Sequence, residues 1–327
     1  MHNDRPADAR PRTPWRAARY AAGALCVGGA LYASAVEVVW TQVFNAFLHA
    51  HLPWTAAAIA SVLVTLALVT FRWGVFVNQP HRARWSALWD SVVLGQAVNI
   101  LMPLRFGEGA RLVMTSRELD LPVGRVAVSL ALERAFDIAA FATIVAMLIL
   151  GGLMPQAFRG VLPAVATLTF ATIVAALLFV RFLPVVLAWL RTRVSAVARG
   201  GAWIEKQESA IRSGWADLTH RHQLIKIAML TAAIPLTAAA TNYLVFRGFD
   251  LPVPAVTALV LLVVLQVGTA VVSVPGNVGV FHYLTVVTLA AWDVPQPTAV
   301  AVAIVLHIVS LGPKVVLAAF SARSRLS

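Results

Sequence analysis

The chain has 327 residues, 60% of them hydrophobic and 12% charged, with a net charge of +12 and a mean hydropathy of +0.80. A soluble domain carries about 25% charged residues, so this composition describes an integral membrane protein. The single cysteine, Cys26, rules out an intrachain disulfide and any Cys-rich zinc or iron–sulfur site.

Residues 1–19 hold five arginines and three prolines and read as a basic cytoplasmic tail. Residues 20–36 form the first apolar run, ending in Ala33-Ser34-Ala35. That ending mimics a signal-peptidase site; a retained first helix fits better, because many spans follow. Residues 37–55 contain no Lys or Arg and read as an outer loop with a short interfacial helix, marked by Trp40 and Trp54. His49 and His51 lie there without an assigned role. Residues 56–77 are the second span, and Arg72, His81, Arg82 and Arg84 mark the inside again. Residues 86–104 are apolar yet carry Asp90, Gln96 and Asn99, with basic residues on both flanks. A crossing would put Arg105, Arg111, Arg117 and Arg125 outside, so a re-entrant hairpin is expected. Such backbone is tolerated at depth only when buried in protein or lining a wet cavity.

Residues 126–150 then span outward and 161–183 return. The stretch 184–222 interleaves six basic residues with apolar ones and reads as an amphipathic helix on the cytoplasmic surface. Residues 223–246 and 254–274 read as two further spans, 276–292 as a Gly-punctuated segment and 297–320 as the last span. Lys314, Arg323 and Arg325 argue for a cytoplasmic C-terminus, with 321–327 as a short basic tail. The expected fold is an all-α polytopic bundle of about eight membrane segments. One or two are broken or re-entrant, and a single transmembrane domain covers 20–320. The expected location is the inner membrane, with the N-terminus cytoplasmic.

Two stretches echo each other. Pro103 and Gly107 are followed by Asp120-Leu121-Pro122 and a helix carrying Arg134; Pro275 and Gly279 are followed by Asp293-Val294-Pro295 and a helix carrying His307. Arg134 and His307 each lie twelve residues past their proline. Paired interruptions of this kind point to a binding site near the bilayer midplane. Whether 276–292 crosses stays open at this level: the basic C-terminus favours a crossing, the echo a second re-entrant segment.

Ionisable side chains at depth cost at least about 2.5–3.5 kcal/mol, so they face a bundle interior, paired or functional. Three groups qualify: Arg105, Glu108 and Arg111; Glu133, Arg134 and Asp137; and His282 with His307. Arg134 can pair with Asp137 three residues on, leaving Glu133 to meet Arg105 or Arg111. Two readings stand. In one, the charges form an ion-pair lock that pins the hairpin to the next helix. In the other, the lock leaves one guanidinium to grip a phosphate, which suits its planar fork. Gly107 and Gly109 would then let the backbone approach a headgroup, and a helix beginning after Gly109 would add its amides. Gln96, Asn99 and Gln266 read as interhelical hydrogen-bonding residues. His282 and His307 read either as bundle histidines or as a proton-linked switch. No third ligand stands at a metal-site spacing. No P-loop or nucleophile elbow appears, and neither a nucleic-acid partner nor a cofactor is expected.

The run from Asn99 to Asp137 resembles the hallmark of the lysylphosphatidylglycerol synthase transmembrane-region family of flippase-like proteins. That hallmark is Asn…Pro-x-Arg-x-Gly-Glu-x-x-Arg followed by a Glu-Arg-x-x-Asp helix, here Asn99, Pro103, Arg105, Gly107, Glu108, Arg111, Glu133, Arg134 and Asp137. Pro275-Gly276-Asn277-Val278-Gly279-Val280-Phe281 resembles its second motif; members often carry Glu next, where this chain has His282. The resemblance implies translocation of an anionic phospholipid, an aminoacyl-phospholipid or an isoprenoid- or hopanoid-linked lipid, without enzymatic activity. Arg105 and Arg111 would clamp the phosphate and Glu108 would orient them or meet a cationic headgroup. Asn99, Glu133, Arg134 and Asp137 would complete the site, with Pro103, Gly107, Pro275, Gly276 and Gly279 as backbone hinges. Two alternatives remain: a membrane scaffold recruiting a lipid- or glycan-modifying enzyme through 184–222, and an intramembrane lipid transferase using Glu108 or Glu133 as base.

Overall fold

The computed structural model describes residues 40–77, 85–102, 106–156, 221–271 and 274–325, with scattered positions between 160 and 209. The tail 1–19, the run 20–36, Pro103, Arg105, the span 161–183 and most of the surface helix 184–222 lie outside the described residues. The described residues are helical and contain no strand. They form α1 (Trp40–Leu48), α2 (Leu52–Val77), α3 (Trp85–Leu101), α4 (Gly107–Glu118), α5 (Val123–Leu150), α6 (Arg221–Gly248), α7 (Val256–Val271), α8 (Val280–Ala290) and α9 (Gln296–Arg323). A 3₁₀ turn, Pro275–Asn277, sits between α7 and α8.

Helices α2, α6 and α9 are long and apolar enough to cross a membrane. Helix α5 matches α6 and α9 at 28 residues, about 42 Å at 1.5 Å per residue, but carries charge in its middle. The short helices come in pairs. α3 and α4 have 17 and 12 residues, α7 and α8 have 16 and 11. None of the four reaches the roughly 20 residues that a bilayer core demands. Each pair folds back on itself: Gly95 of α3 lies against Arg111 of α4, and Gly268 of α7 against Leu284 of α8.

These lengths extend the sequence echo into a repeat of four helices. The order α2-α3-α4-α5 runs 26, 17, 12 and 28 residues, and α6-α7-α8-α9 runs 28, 16, 11 and 28. Equivalent residues are 172 or 173 apart: 103 to 275 and 107 to 279 by the first offset, 95 to 268, 111 to 284 and 134 to 307 by the second. The two halves run in opposite directions. The end of α2, the start of α3 and the turn at Leu121 share one apolar cluster with Trp73, Val77, Leu88 and Ile227. Arg325, just past α9, reaches the same end and pairs with Asp90 (3.0 Å) and Glu118. The Glu118 hydrogen bond holds that guanidinium still more firmly in its charged form. The other end gathers α1, the α6–α7 turn and the start of α9, where Phe246, Leu251, Val294 and Ala299 pack. The first hairpin therefore opens toward the basic end and the second toward the opposite one.

This arrangement corrects the reading of 254–274 as a span. α7 is about 24 Å long, shorter than the hydrocarbon core, and the chain turns at Pro275-Gly276, where Gly276 has φ 66°. It also removes the need for 276–292 to cross: α8 returns to the end from which α7 came, and α9 then carries the C-terminus to the basic end.

The Asp-x-Pro signal has a local cause. Asp120 and Asp293 take left-handed φ values of 50° and 55°, and Asp250, in a third copy of the pattern, takes 50°. Three or four residues after each helix, an amide bonds back to the carbonyl five positions earlier: Leu121 to Ser116 (3.0 Å), Leu251 to Phe246 (3.1 Å) and Val294 to Leu289 (3.3 Å). This is a Schellman closure; Asp tolerates the left-handed position, and Pro prevents the first helix from continuing. At the centre, α2 and α6 are joined by hydroxyls. Ser61 donates to the Thr237 carbonyl (2.9 Å), Thr65 to the Thr237 hydroxyl (2.9 Å) and Thr241 to Ser61 (3.1 Å). Thr65 and residue 238 are equivalents in the repeat, so this seam lies near the pseudo-two-fold axis.

Gly107 owes its place to packing, which corrects the headgroup role expected for it. A Cβ there would land on the Gly95 carbonyl oxygen and within 2.7 Å of Asn99. Gly109 faces open space, with nothing within 4 Å of an added Cβ. Gly107→Ala is expected to cost about 3 kcal/mol through overpacking, and Gly109→Ala close to nothing. Thermal unfolding of the two variants in detergent checks the contrast.

Candidate functional site

Helices α2, α4, α5 and α6 meet around one carboxylate. Glu133, in the middle of α5, is 1% exposed. Arg72 of α2, equally buried, donates from Nη2 to Glu133 Oε1 (3.0 Å) and lies 2.6 Å from Asp137 through Nη1. Its Nη1 also donates to Thr231 of α6 (3.2 Å). Arg111 of α4 approaches Glu133 Oε2 to 2.9 Å, an ion pair without hydrogen-bond alignment. The face of its guanidinium stacks on Trp73 of α2 at 3.8 Å, and the Trp73 indole N–H donates to Thr115 (3.3 Å). Arg111 Nε and Nη2 are buried without a hydrogen-bond partner among the described residues.

A second, outer layer adjoins this core. Arg134 Nη1 donates to Asp137 Oδ2 (3.2 Å), and Nε stands 3.1 Å from Glu108 of α4, again poorly aligned. The exposures separate the layers: 2% for Arg72, 7% for Arg111 and 1% for Glu133, against 37% for Arg134, 32% for Glu108 and 30% for Asp137. Arg134 Nη2 has no partner among the described residues. Arg134 is eleven residues into α5, about 17 Å from its start. The Arg134 side chain thus keeps about a third of its surface exposed at that depth.

The structure thus brings together Glu108, Arg111, Glu133, Arg134 and Asp137, all singled out by sequence. Glu133 meets Arg111, and Arg134 meets Asp137. Among the described residues the charges balance, with Arg72, Arg111 and Arg134 facing Glu108, Glu133 and Asp137. Asn99 stands apart from this network: its Oδ1 accepts the Gly107 amide (2.8 Å). That bond closes the hairpin and caps α4, which begins at Gly107 rather than after Gly109. Arg105 and Pro103 lie outside the described residues.

From sequence alone Arg72 reads only as a marker of the inner side. The signal was present: five apolar residues, Trp73 to Val77, follow it before the apolar run ends. A flanking charge has no such tail.

The second hairpin brings His282 and His307 to ring centroids 4.7 Å apart. Gly276 and Gly279 shape its tip with positive φ. No group of three or more metal-ligating side chains occurs among the described residues. A polar hollow lined by Gln42, Asn45, His49, Asp250 and Thr298 lies at the far end of the bundle, away from the charged network.

No curated protein and no solved structure matches the chain. A family described as the lysylphosphatidylglycerol synthase TM region matches residues 20–318, a stretch that contains every described helix up to the last turns of α9. The match covers nearly the whole chain, and this multi-pass membrane protein belongs to that family.

Proposed function

We propose that the protein binds an anionic lipid by its phosphate and carries the headgroup across the bilayer without covalent chemistry. The observation that supports this most is Arg134: a guanidinium deep in α5, a third exposed, loosely paired, with Nη2 carrying no described partner. The buried layer of Arg72, Arg111 and Glu133 fixes α2, α4 and α5, so that Arg134, Glu108 and Asp137 stand preorganised at its edge. Glu108 and Asp137 hold Arg134 between cargoes, and a phosphate displaces them. Arg105, three residues before Glu108 in sequence, adds a further positive charge to this segment. In this reading Arg105 and Arg134 form the clamp, Arg111 belongs to the lock, and the open face of Gly109 leaves room for a headgroup.

The opposed hairpins support alternating access, because inverted halves exchange roles when one rocks against the other. The test is lipid movement in proteoliposomes. Purified protein should speed the transbilayer movement of fluorescent phosphatidylglycerol at least tenfold more than that of the phosphatidylcholine analogue. Equal acceleration of both would refute headgroup recognition.

We place the basic end in the cytoplasm of an inner membrane, following the positive-inside bias. In a Cys26→Ala background, a cysteine at Leu119 or Ser324 should react with an impermeant maleimide only after cell lysis. One at His51 should react in intact spheroplasts.

A further inference from the structure

We propose that His282 and His307 form a proton-binding site, taking one proton per pair, and that this proton drives the lipid movement proposed above. The inference rests on that reading and deepens it.

The hydrogen bonds place one ring hydrogen on each histidine. His307 Nε2 is 2.8 Å from the Gly276 carbonyl oxygen. A carbonyl can only accept, so Nε2 carries the hydrogen and Nδ1 is left to receive a proton. The Gly279 amide donates to His282 Nδ1 (3.4 Å), so that nitrogen is unprotonated and its ring hydrogen is on Nε2. Both rings are neutral in this arrangement. They stand edge to face with centroids 4.7 Å apart at 71°, and Phe281 covers His307 at 4.9 Å. A proton on His282 Nδ1 would expel the Gly279 amide. A proton on His307 Nδ1 keeps its bond to Gly276 and makes it charge-assisted, roughly twice as strong. Two imidazoliums at this spacing repel, so the pair holds one proton, on His307.

No described carboxylate pairs with either ring. α7 contributes no ionisable residue, α8 adds only Tyr283, and α9 adds Lys314 two turns beyond His307. On the neighbouring elements, Asp90 of α3 is held by Arg325, and Arg72 of α2 by Glu133 and Asp137. Lys226 of α6 lies near the start of that helix, at the basic end. A proton on His307 is therefore not neutralised by a counter-ion, and the backbone at Gly276 responds to it.

That backbone is poised to respond. Gly276 and Asn277 have φ of 66° and 53°. Gly279 sits at φ 83° and ψ −61°, a rare and strained γ-turn geometry. The turn packs against α3, whose Asn99 holds the Gly107 amide at the start of α4, one residue before Glu108. Tightening or release at Gly276 can thus reach the Glu108–Arg134 contact through α3. In the repeat His307 stands where Arg134 stands in the first half: each ties its long helix to its own hairpin.

The experiment imposes a pH gradient on proteoliposomes carrying fluorescent phosphatidylglycerol. At one proton per lipid, each pH unit sustains about a tenfold asymmetry between leaflets. The wild type should build that asymmetry. His307→Gln, which retains a donor for Gly276 but cannot titrate, should leave the lipid evenly distributed. Wild-type protein that moves lipid yet ignores the gradient overturns the proton site and leaves the transport reading standing. The site is also read without transport. Amide exchange across 274–283, corrected for intrinsic rates, should slow about threefold or more between about pH 7 and pH 4 in the wild type. It should not change in His307→Gln. Identical behaviour of the two proteins overturns the proposal even where no lipid moves.

Discussion

Glu133→Ala is expected to destabilise the protein by about 3–5 kcal/mol, because it strands buried cations rather than merely deleting a contact. Arg72 and Arg111 both converge on this carboxylate from α2 and α4. Arg72 would retain Asp137 at 2.6 Å and Thr231 at 3.2 Å. Among the described residues, Arg111, with Nε and Nη2 already lacking partners, would retain only the face of Trp73. The loss should therefore fall on the α4–α5 contact and free the first hairpin. Denaturant unfolding of the purified protein in micelles measures it. Pairing the change with Arg111→Met should recover at least about 1 kcal/mol, since the stranded charge leaves with its partner. Equal stability of the single and double variants would show that the two residues are not coupled.

Arg134→Ala is expected to act on transport instead. Its two carboxylate contacts are a third exposed, and the one to Glu108 is poorly aligned, so their loss should cost no more than about 1 kcal/mol of stability. A phosphate hydrogen-bonded to that guanidinium is worth about 1.5–3 kcal/mol, so lipid movement should fall about tenfold to a hundredfold. Arg134→Lys should fall between, because an ammonium offers a point charge where the fork is required. Arg105→Ala should reproduce the transport loss with the fold intact. Unchanged movement in both alanine variants would leave the network as a lock alone.

Much of this architecture could be read from residues, and the misses have physical causes. The first hairpin was legible because charge and topology conflict there: basic flanks on both sides of an apolar run forbid a simple crossing. The second was half legible. Its Pro-Gly turn stood out, but α7 is so uniformly apolar that 254–274 looked long enough to span. Length counted on hydropathy alone overlooks where the chain turns, at Pro275-Gly276. The repeat was visible at its punctuation, Pro103 with Pro275 and Asp120 with Asp293. It was invisible in α2 and α6, where any apolar residue serves and no side chain records the kinship.

The site divides similarly. Glu133, Arg134 and Asp137 announce themselves as charges on one stretch of a spanning helix, and their pairing partners within reach could be anticipated. Arg72 escaped because one arginine near the end of an apolar run resembles an interfacial flank. The apolar tail from Trp73 to Val77 is what sets it apart in sequence, and its buried place beside Glu133 is visible only in the fold. Gly107 was associated with a ligand because a glycine does not say which neighbour comes close; the neighbour is the Gly95 carbonyl.

The central claim is that the outer layer of this network grips an anion that is not part of the protein. Native mass spectrometry of purified, partly delipidated protein tests it most directly. The account predicts that anionic phospholipid adducts persist on the wild type and disappear from Arg134→Ala, with zwitterionic adducts equal in both. Anionic adducts that survive unchanged in Arg134→Ala would contradict it.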